Sequence, residues 1–163
     1  MSGVSRPVDA YVNKLCRALE TKGGIQVKKT IDTGDGERRV LLESNTYPDP
    51  VTEIKVIIRY SGAVGPSITY CEDWSGDEWE CRWGRHPNSH NTEEHFHYPP
   101  DAGENETPPA VDAEYGQDIL IMTNVVDFLS ERYTEIISTD SPTYPSDYRW
   151  TNEYCSETYE DPP

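Results

Sequence analysis

Thr52-Glu-Ile-Lys-Val-Ile-Ile-Arg-Tyr60 is the stretch on which the fold turns. Ile54, Val56 and Ile58 share one parity, while Glu53, Lys55, Ile57 and Arg59 share the other. That alternation is the signature of a strand with one packed face and one more polar face, and it places residues 52–60 centrally in a sheet. A strand of this kind needs partners, and both flanks supply them.

Downstream, Gly62 and Gly65-Pro66 mark a turn, and Ser67 to Trp74 with Glu78 to Arg82 read as a hairpin across Ser75-Gly76-Asp77. With Gly76 as its midpoint, Cys71 faces Cys81 on the side of the sheet that carries Trp79 and Trp83. Such a pair can be two buried apolar groups, a disulfide or two thiolate ligands. Upstream, Pro48 and Pro50 bracket a loop, and Ile25 to Ile31 pairs with Arg38 to Glu43 across Gly34-Asp35-Gly36.

Helices close both ends. Ser5 can cap a helix with Pro7 in its first turn, and Val8, Tyr11, Val12, Leu15, Cys16 and Leu19 recur at helical spacing until Gly23-Gly24, predicting a helix over residues 7–22. Ile119, Leu120, Met122, Val125, Val126, Leu129, Tyr133 and Ile136 form the apolar stripe of a second helix over residues 117–137. The expected architecture is a single α+β domain over residues 1–138: an antiparallel meander of about five to six strands, packed on one face against an N-terminal and a C-terminal helix. Residues 139–163, rich in Tyr and acidic groups and broken by Pro142 and Pro145, read as a tail, flexible or laid against the domain.

Within the 163 residues, 14 Lys and Arg stand against 30 Asp and Glu, a formal charge of -16 with a sequence pI near 4.5. The acids are scattered along the chain, as on the solvated surface of a protein from a high-salt cytoplasm. At low salt this charge opposes nucleic-acid binding; at ~1 M salt the Debye length is about 3 Å and the repulsion is screened. No apolar run is long enough to span a bilayer and no signal segment follows Met1 to Arg6, so the expected location is the cytoplasm, without membrane. Cys16, Cys71, Cys81 and Cys155 form no CxxC and no dense secreted pattern, which disfavours a disulfide framework.

All four histidines fall within His86-Pro-Asn-Ser-His90-Asn-Thr-Glu-Glu-His95-Phe-His97, the expected functional loop at residues 84–100. In an extended segment His95 and His97 share a face and Phe96 takes the other. Two imidazoles so placed can act as acid and base on one substrate, and RNA cleavage through its own 2′-hydroxyl is a reaction of that kind. Arg82 and Arg85 flank the cluster and can hold a phosphate, or form ordinary ion pairs in an acid-rich chain. Trp83 and Tyr98 can hold a base by stacking, or belong to the core. The competing chemistry is zinc, with Cys71, Cys81, His95 and His97 as ligands, although their spacing matches no standard finger.

The segment from Glu80-Cys-Arg-Trp83-Gly-Arg-His86-Pro87-Asn-Ser-His90 to His95-Phe-His97 resembles the hallmark of TumE-type proteins, small toxins of toxin-antitoxin modules. The similarity spans roughly residues 38–135 and singles out Trp83, His86, His95 and His97, with a departure at Gly84, where the family commonly carries an acidic residue. It implies a short antiparallel sheet, a His-Pro loop, a His-x-His and a closing helix, and an antitoxin protein, encoded nearby, as partner. Taken with the residues themselves, it points to a metal-independent ribonuclease with His86, His90, His95, His97, Arg82 and Arg85 at its catalytic site and Trp83 and Tyr98 against the RNA. The alternative is a zinc-binding regulatory or protein-interaction module without catalysis.

Overall fold

The computed structural model describes residues 7–21, 25–34, 36–61, 65–85, 94–97, 99, 110–112 and 118–148. Helix α1 (Pro7–Thr21) leads into β1 (Val27–Gly34), β2 (Glu37–Leu42), β3 (Val51–Ser61), β4 (Gly65–Trp74), β5 (Asp77–Arg85), β6 (Glu94–His97) and β7 (Ala110–Asp112), and α2 (Asp118–Ser138) follows. The strands lie side by side in sequence order, each antiparallel to the next. The α+β meander between two helices is thus the fold that the periodicities predict. Its seventh strand, only three residues long, is too short to announce itself. With β6 and β7 added, β4 is the middle strand and β3 its interior neighbour.

One face of the sheet is the core. Val40 and Leu42 of β2, Ile54, Val56 and Ile58 of β3, Ile68, Tyr70 and Trp74 of β4, Trp79, Cys81 and Trp83 of β5 and Phe96 of β6 are all buried there. The helices supply the other half: Val8, Val12, Leu15 and Leu19 from α1, and Ile121, Val125, Phe128, Leu129 and Ile136 from α2. Phe128 sits at the middle of the aromatic packing, with ring centroids 5.1 Å from Tyr70 and 5.4 Å from Trp83, within the range where edge-to-face aromatic pairs attract.

The β1–β2 turn fixes one glycine by space as well as by dihedral angle. Gly36 has φ +76°, and a Cβ there would lie 2.4 Å from the Tyr60 carbonyl oxygen. The close approach serves a hydrogen bond from the Tyr60 amide to the Gly36 carbonyl, 3.0 Å, which ties the turn to β3.

The β4–β5 hairpin corrects the expected register. Its turn is the two-residue Ser75-Gly76, with φ 57° and 107°, and Trp74 pairs with Asp77 across it. Both turn residues have positive φ, as hairpin turns that follow the sheet twist require. Tyr70 therefore pairs with Cys81, and Cys71 with Glu80. A one-residue change of register moves a side chain to the other face: Cys81 lies in the core with Trp79 and Trp83, and Cys71 lies on the opposite face. The described cysteines Cys16, Cys71 and Cys81 are free thiols.

After α2 the chain returns to the core side of the sheet. The Tyr144 hydroxyl donates to the Glu78 carbonyl, 3.1 Å, and the Tyr148 ring stands 5.2 Å from Trp79. Residues 139–148 are thus laid against the domain, and the remainder of the Tyr-rich segment lies outside the described residues. Among the described residues no helix is long and apolar enough to cross a membrane.

Candidate functional site

The sheet face away from the helices carries the candidate chemistry. Register places Arg39, Ile57, Thr69, Arg82 and His97 in one row across β2 to β6. The neighbouring row runs Glu37, Arg59, Ser67, Gly84, His95. These positions fall here because the apolar residues of each strand claim the helix-covered face, so alternation sends their neighbours to the other side.

Arg82 and His97 meet directly, Arg82 Nη2 to His97 Nε2 at 3.0 Å. A guanidinium carries donors and no acceptor, so Arg82 donates and Nε2 accepts. His97 therefore holds its proton on Nδ1 and is neutral in this arrangement, because a proton on Nε2 would set two donors against each other. Both residues are buried, Arg82 5% and His97 6% exposed. Burial lowers the pKa of Arg82, the field of Arg59 lowers it further, and Glu80 opposes both.

Of the other expected site residues, His95 occupies β6 opposite Gly84, two residues from His97 and on the same parity; its side chain is outside what the structure describes. Arg85 pairs with Glu94 at the end of β5, an odd number of residues from Arg82. His86, His90 and Tyr98 lie outside the described residues. Trp83 requires a correction. It is fully buried between Phe96, with ring centroids 5.3 Å apart, and Phe128. It belongs to the core and offers no ring face to a base. The large indole follows the parity of Trp79 and Cys81, and the helix-covered face is where so much apolar area gains most by leaving water.

The four-residue zinc set also needs correction, since Cys71 and Cys81 lie on opposite faces of the sheet and cannot share an ion. On the face away from the helices the Cys71 sulfur lies near carboxylates of Glu78 and Glu80, ligand atoms all within 4.8 Å of one another. One observation counts against a cation there: the Lys55 ammonium is already 3.8 Å from Glu78.

Sequence reasoning missed a second polar centre, on the core side. Glu72 is completely buried and Arg132 is 4% exposed, and α2 delivers Arg132 to the carboxylate as a two-pronged pair. Tyr70 and Trp74 each donate to Glu72 at 2.8 Å. The guanidinium carbon also stands 5.1 Å from the Trp79 ring and 5.4 Å from that of Tyr148, a favourable place for a cation. The signal was in the sequence: Glu72 lies in phase with Tyr70 and Trp74, and Arg132 continues the stripe of Val125, Leu129 and Ile136. An acid on a core parity requires such a partner.

Comparison with known proteins gives a match to one family model, described as Toxin TumE, over residues 33–131. The matched stretch runs from the end of β1 into the third quarter of α2 and contains the Arg82–His97 contact. Comparison with curated proteins and with solved structures gives no match.

Proposed function

The chain belongs to the TumE family of toxins, and from that premise we propose that it is the toxin of a toxin-antitoxin module and acts on RNA through the face centred on Arg82 and His97. An antitoxin protein is its expected partner. The single observation that carries the RNA reading is the 3.0 Å contact of the Arg82 guanidinium with the neutral imidazole of His97. It couples a phosphate-binding group to a base.

With no anion present, the lone pair of Nε2 is occupied by the Arg82 donor. A phosphodiester drawing that donor to its own non-bridging oxygen frees Nε2 to accept a proton. In the proposed step Nε2 takes the proton of the 2′-hydroxyl, the 2′-oxygen bonds to phosphorus, and the bond from phosphorus to the 5′-oxygen breaks. A second acid protonates the leaving 5′-oxygen, leaving a 2′,3′-cyclic phosphate and a 5′-hydroxyl. His95, on the same parity in β6, is assigned that acid role, with His86 or His90 assisting. No metal enters the scheme.

The test is cleavage of RNA by purified protein in high salt, with the 3′ ends analysed for cyclic phosphate. His97→Ala is expected to lower the rate by about 10²–10⁴-fold, the usual contribution of a positioned acid or base, and to abolish toxicity while the protein remains folded. A folded His97→Ala protein that cleaves as fast as the wild type would sink the proposal.

A further inference from the structure

Arg82 is an anomaly in this chain. Acids outnumber bases by 30 to 14, yet among the described residues no carboxylate pairs with this buried guanidinium. Its hydrogen-bonding partner is a neutral imidazole, and its Nε is buried with no hydrogen-bond partner. Glu80, two residues away on β5, acts on it by its field and not by contact, and a buried cation without a direct counter-ion or full hydrogen bonding is costly. The cost falls once an anion arrives.

The second cation on this face is Arg59. It stands on β3 opposite Ser67 of β4, while Arg82 stands on β5 opposite Thr69 of the same strand. The two arginines therefore flank β4 from either side, on strands about 10 Å apart at the backbone, and Arg59 is near enough for its charge to act on Arg82. Glu37 holds Arg59 by Nε, which leaves the outer nitrogens of its half-exposed side chain to a ligand. Between the two arginines lie the short side chains of Ser67, which is partly exposed, and Thr69, which is buried, and Gly84 follows in the same row as Ser67, so a ligand would approach from the Arg59 and Ser67 side.

We propose that Arg59 and Arg82 clamp one backbone phosphate of single-stranded RNA over Ser67 and Thr69 of β4. Two guanidinium forks entering from different strands suit a tetrahedral group with oxygens in several directions, whereas a planar carboxylate is satisfied by one fork. The clamp deepens the reading of this face as the RNA-cleaving face and rests on it: the held phosphate lies beside the strand pair that carries His95 and His97. Arg59 is thereby a binding residue, and its position in the sequence, an outward residue of a strand, gave no sign of this.

The experiment measures binding of a 2′-O-methyl uridine oligomer, which cannot be cleaved through its 2′-oxygen, by fluorescence anisotropy over a range of salt concentrations. Arg59→Gln is expected to weaken binding by about tenfold and to reduce the salt slope by about 0.7, the value for one phosphate contact on a single strand. Arg82→Lys, which keeps the charge and removes the fork, is expected to weaken binding as well; Arg59→Gln decides the matter if Arg82→Lys does not fold. Lys29→Gln, an exposed charge on β1, is expected to bind as the wild type does.

The proposal is overturned if Arg59→Gln binds like the wild type, if Lys29→Gln loses as much, or if a poly-glutamate peptide displaces the oligomer as well as inorganic phosphate does. The two readings fail separately. Wild-type protein that holds the oligomer through Arg59 and cleaves no RNA removes the nuclease reading and keeps the clamp, while RNA cleavage at full rate by an Arg59→Gln protein of undiminished affinity removes the clamp alone.

Discussion

Arg132 of α2 grips Glu72 of β4 with two hydrogen bonds, Nε to Oε1 at 2.5 Å and Nη2 to Oε2 at 3.0 Å, where Glu72 is fully buried and Arg132 nearly so. Helix and sheet are joined by charge at a point where the apolar packing is interrupted. Removing one partner of such a pair costs about 3–5 kcal/mol, and with Glu72 gone Arg132 keeps only the exposed Glu135 carboxylate, 3.2 Å from Nη1. Glu72→Ala is therefore expected to lower the unfolding free energy by about that amount in urea titration, and the Glu72→Ala, Arg132→Met double variant to be less destabilised than the sum of the singles. Additive losses would show that the two groups do not act as a pair.

The limits of sequence reading are visible in the same region. Period alone located both helices and the first five strands, because each buried stripe repeats at 3.6 or 2 residues and the helix stops are glycine or proline, whereas β6 lies within the stretch read as the functional loop. The β4–β5 register was out of reach because a turn centred on Gly76 and a turn formed by Ser75-Gly76 differ by half a residue at the midpoint. Only the positive φ of Ser75 separates them, and serine does not advertise that conformation. This small difference moved Cys71 to the other face and dissolved the zinc set. His97 and Arg82 were legible as types of residue, but their contact was not, since it depends on β6 pairing with β5, a register that no periodicity in the sequence sets.

Trp83 is part of the family-like motif, and its burial assigns it to folding. Trp83→Ala is expected to cost about 3–5 kcal/mol, the range for removing a large aromatic from a core. Trp83→Phe is expected to retain most of the stability and all of the RNA affinity. Measured oligomer affinity that falls in a stably folded Trp83→Phe protein would return the indole to the binding surface.

Cys71 is 1% exposed, and burial, reinforced by Glu80, raises its pKa. The sign follows directly: a raised thiol pKa means the protonated, unreactive form through neutral pH. Cys71 in native protein is expected to resist iodoacetamide at pH 7–8 and to be labelled only as fast as the domain opens. Peptide mapping after timed labelling checks this, and fast labelling under native conditions would contradict it.

Zinc provides a separate check on the alternative function. With Cys81 in the core and Cys71 on the other face, a four-ligand site assembled from both cysteines and His95 and His97 is excluded by the sheet itself. Chelator is expected to leave the thermal midpoint unchanged, whereas a structural zinc site contributes its binding energy to folding and loses it to chelator. A clear fall in the midpoint, with about one zinc per chain by mass spectrometry, would reinstate a metal centre built from other residues.

The last expectation concerns salt. A formal charge of -16 makes the compact state repel itself, and the repulsion weakens as the Debye length contracts from about 10 Å at 0.1 M to about 3 Å at 1 M. Exposed ion pairs such as Arg59 with Glu37 are weakened by the same screening, but each contributes only about 0–1 kcal/mol. The surplus of acid should therefore win, and the melting temperature is expected to rise by about 5 °C or more between ~0.1 M and ~1 M potassium chloride, the size of shift that one or two kcal/mol produces in a domain of this length. The same screening should shrink the penalty for bringing an RNA phosphate to Arg82, so oligomer binding by this protein is expected to fall less steeply with salt than a basic protein's would. A melting temperature that drops on adding salt would mean that attraction between charges, and not their excess, dominates the surface.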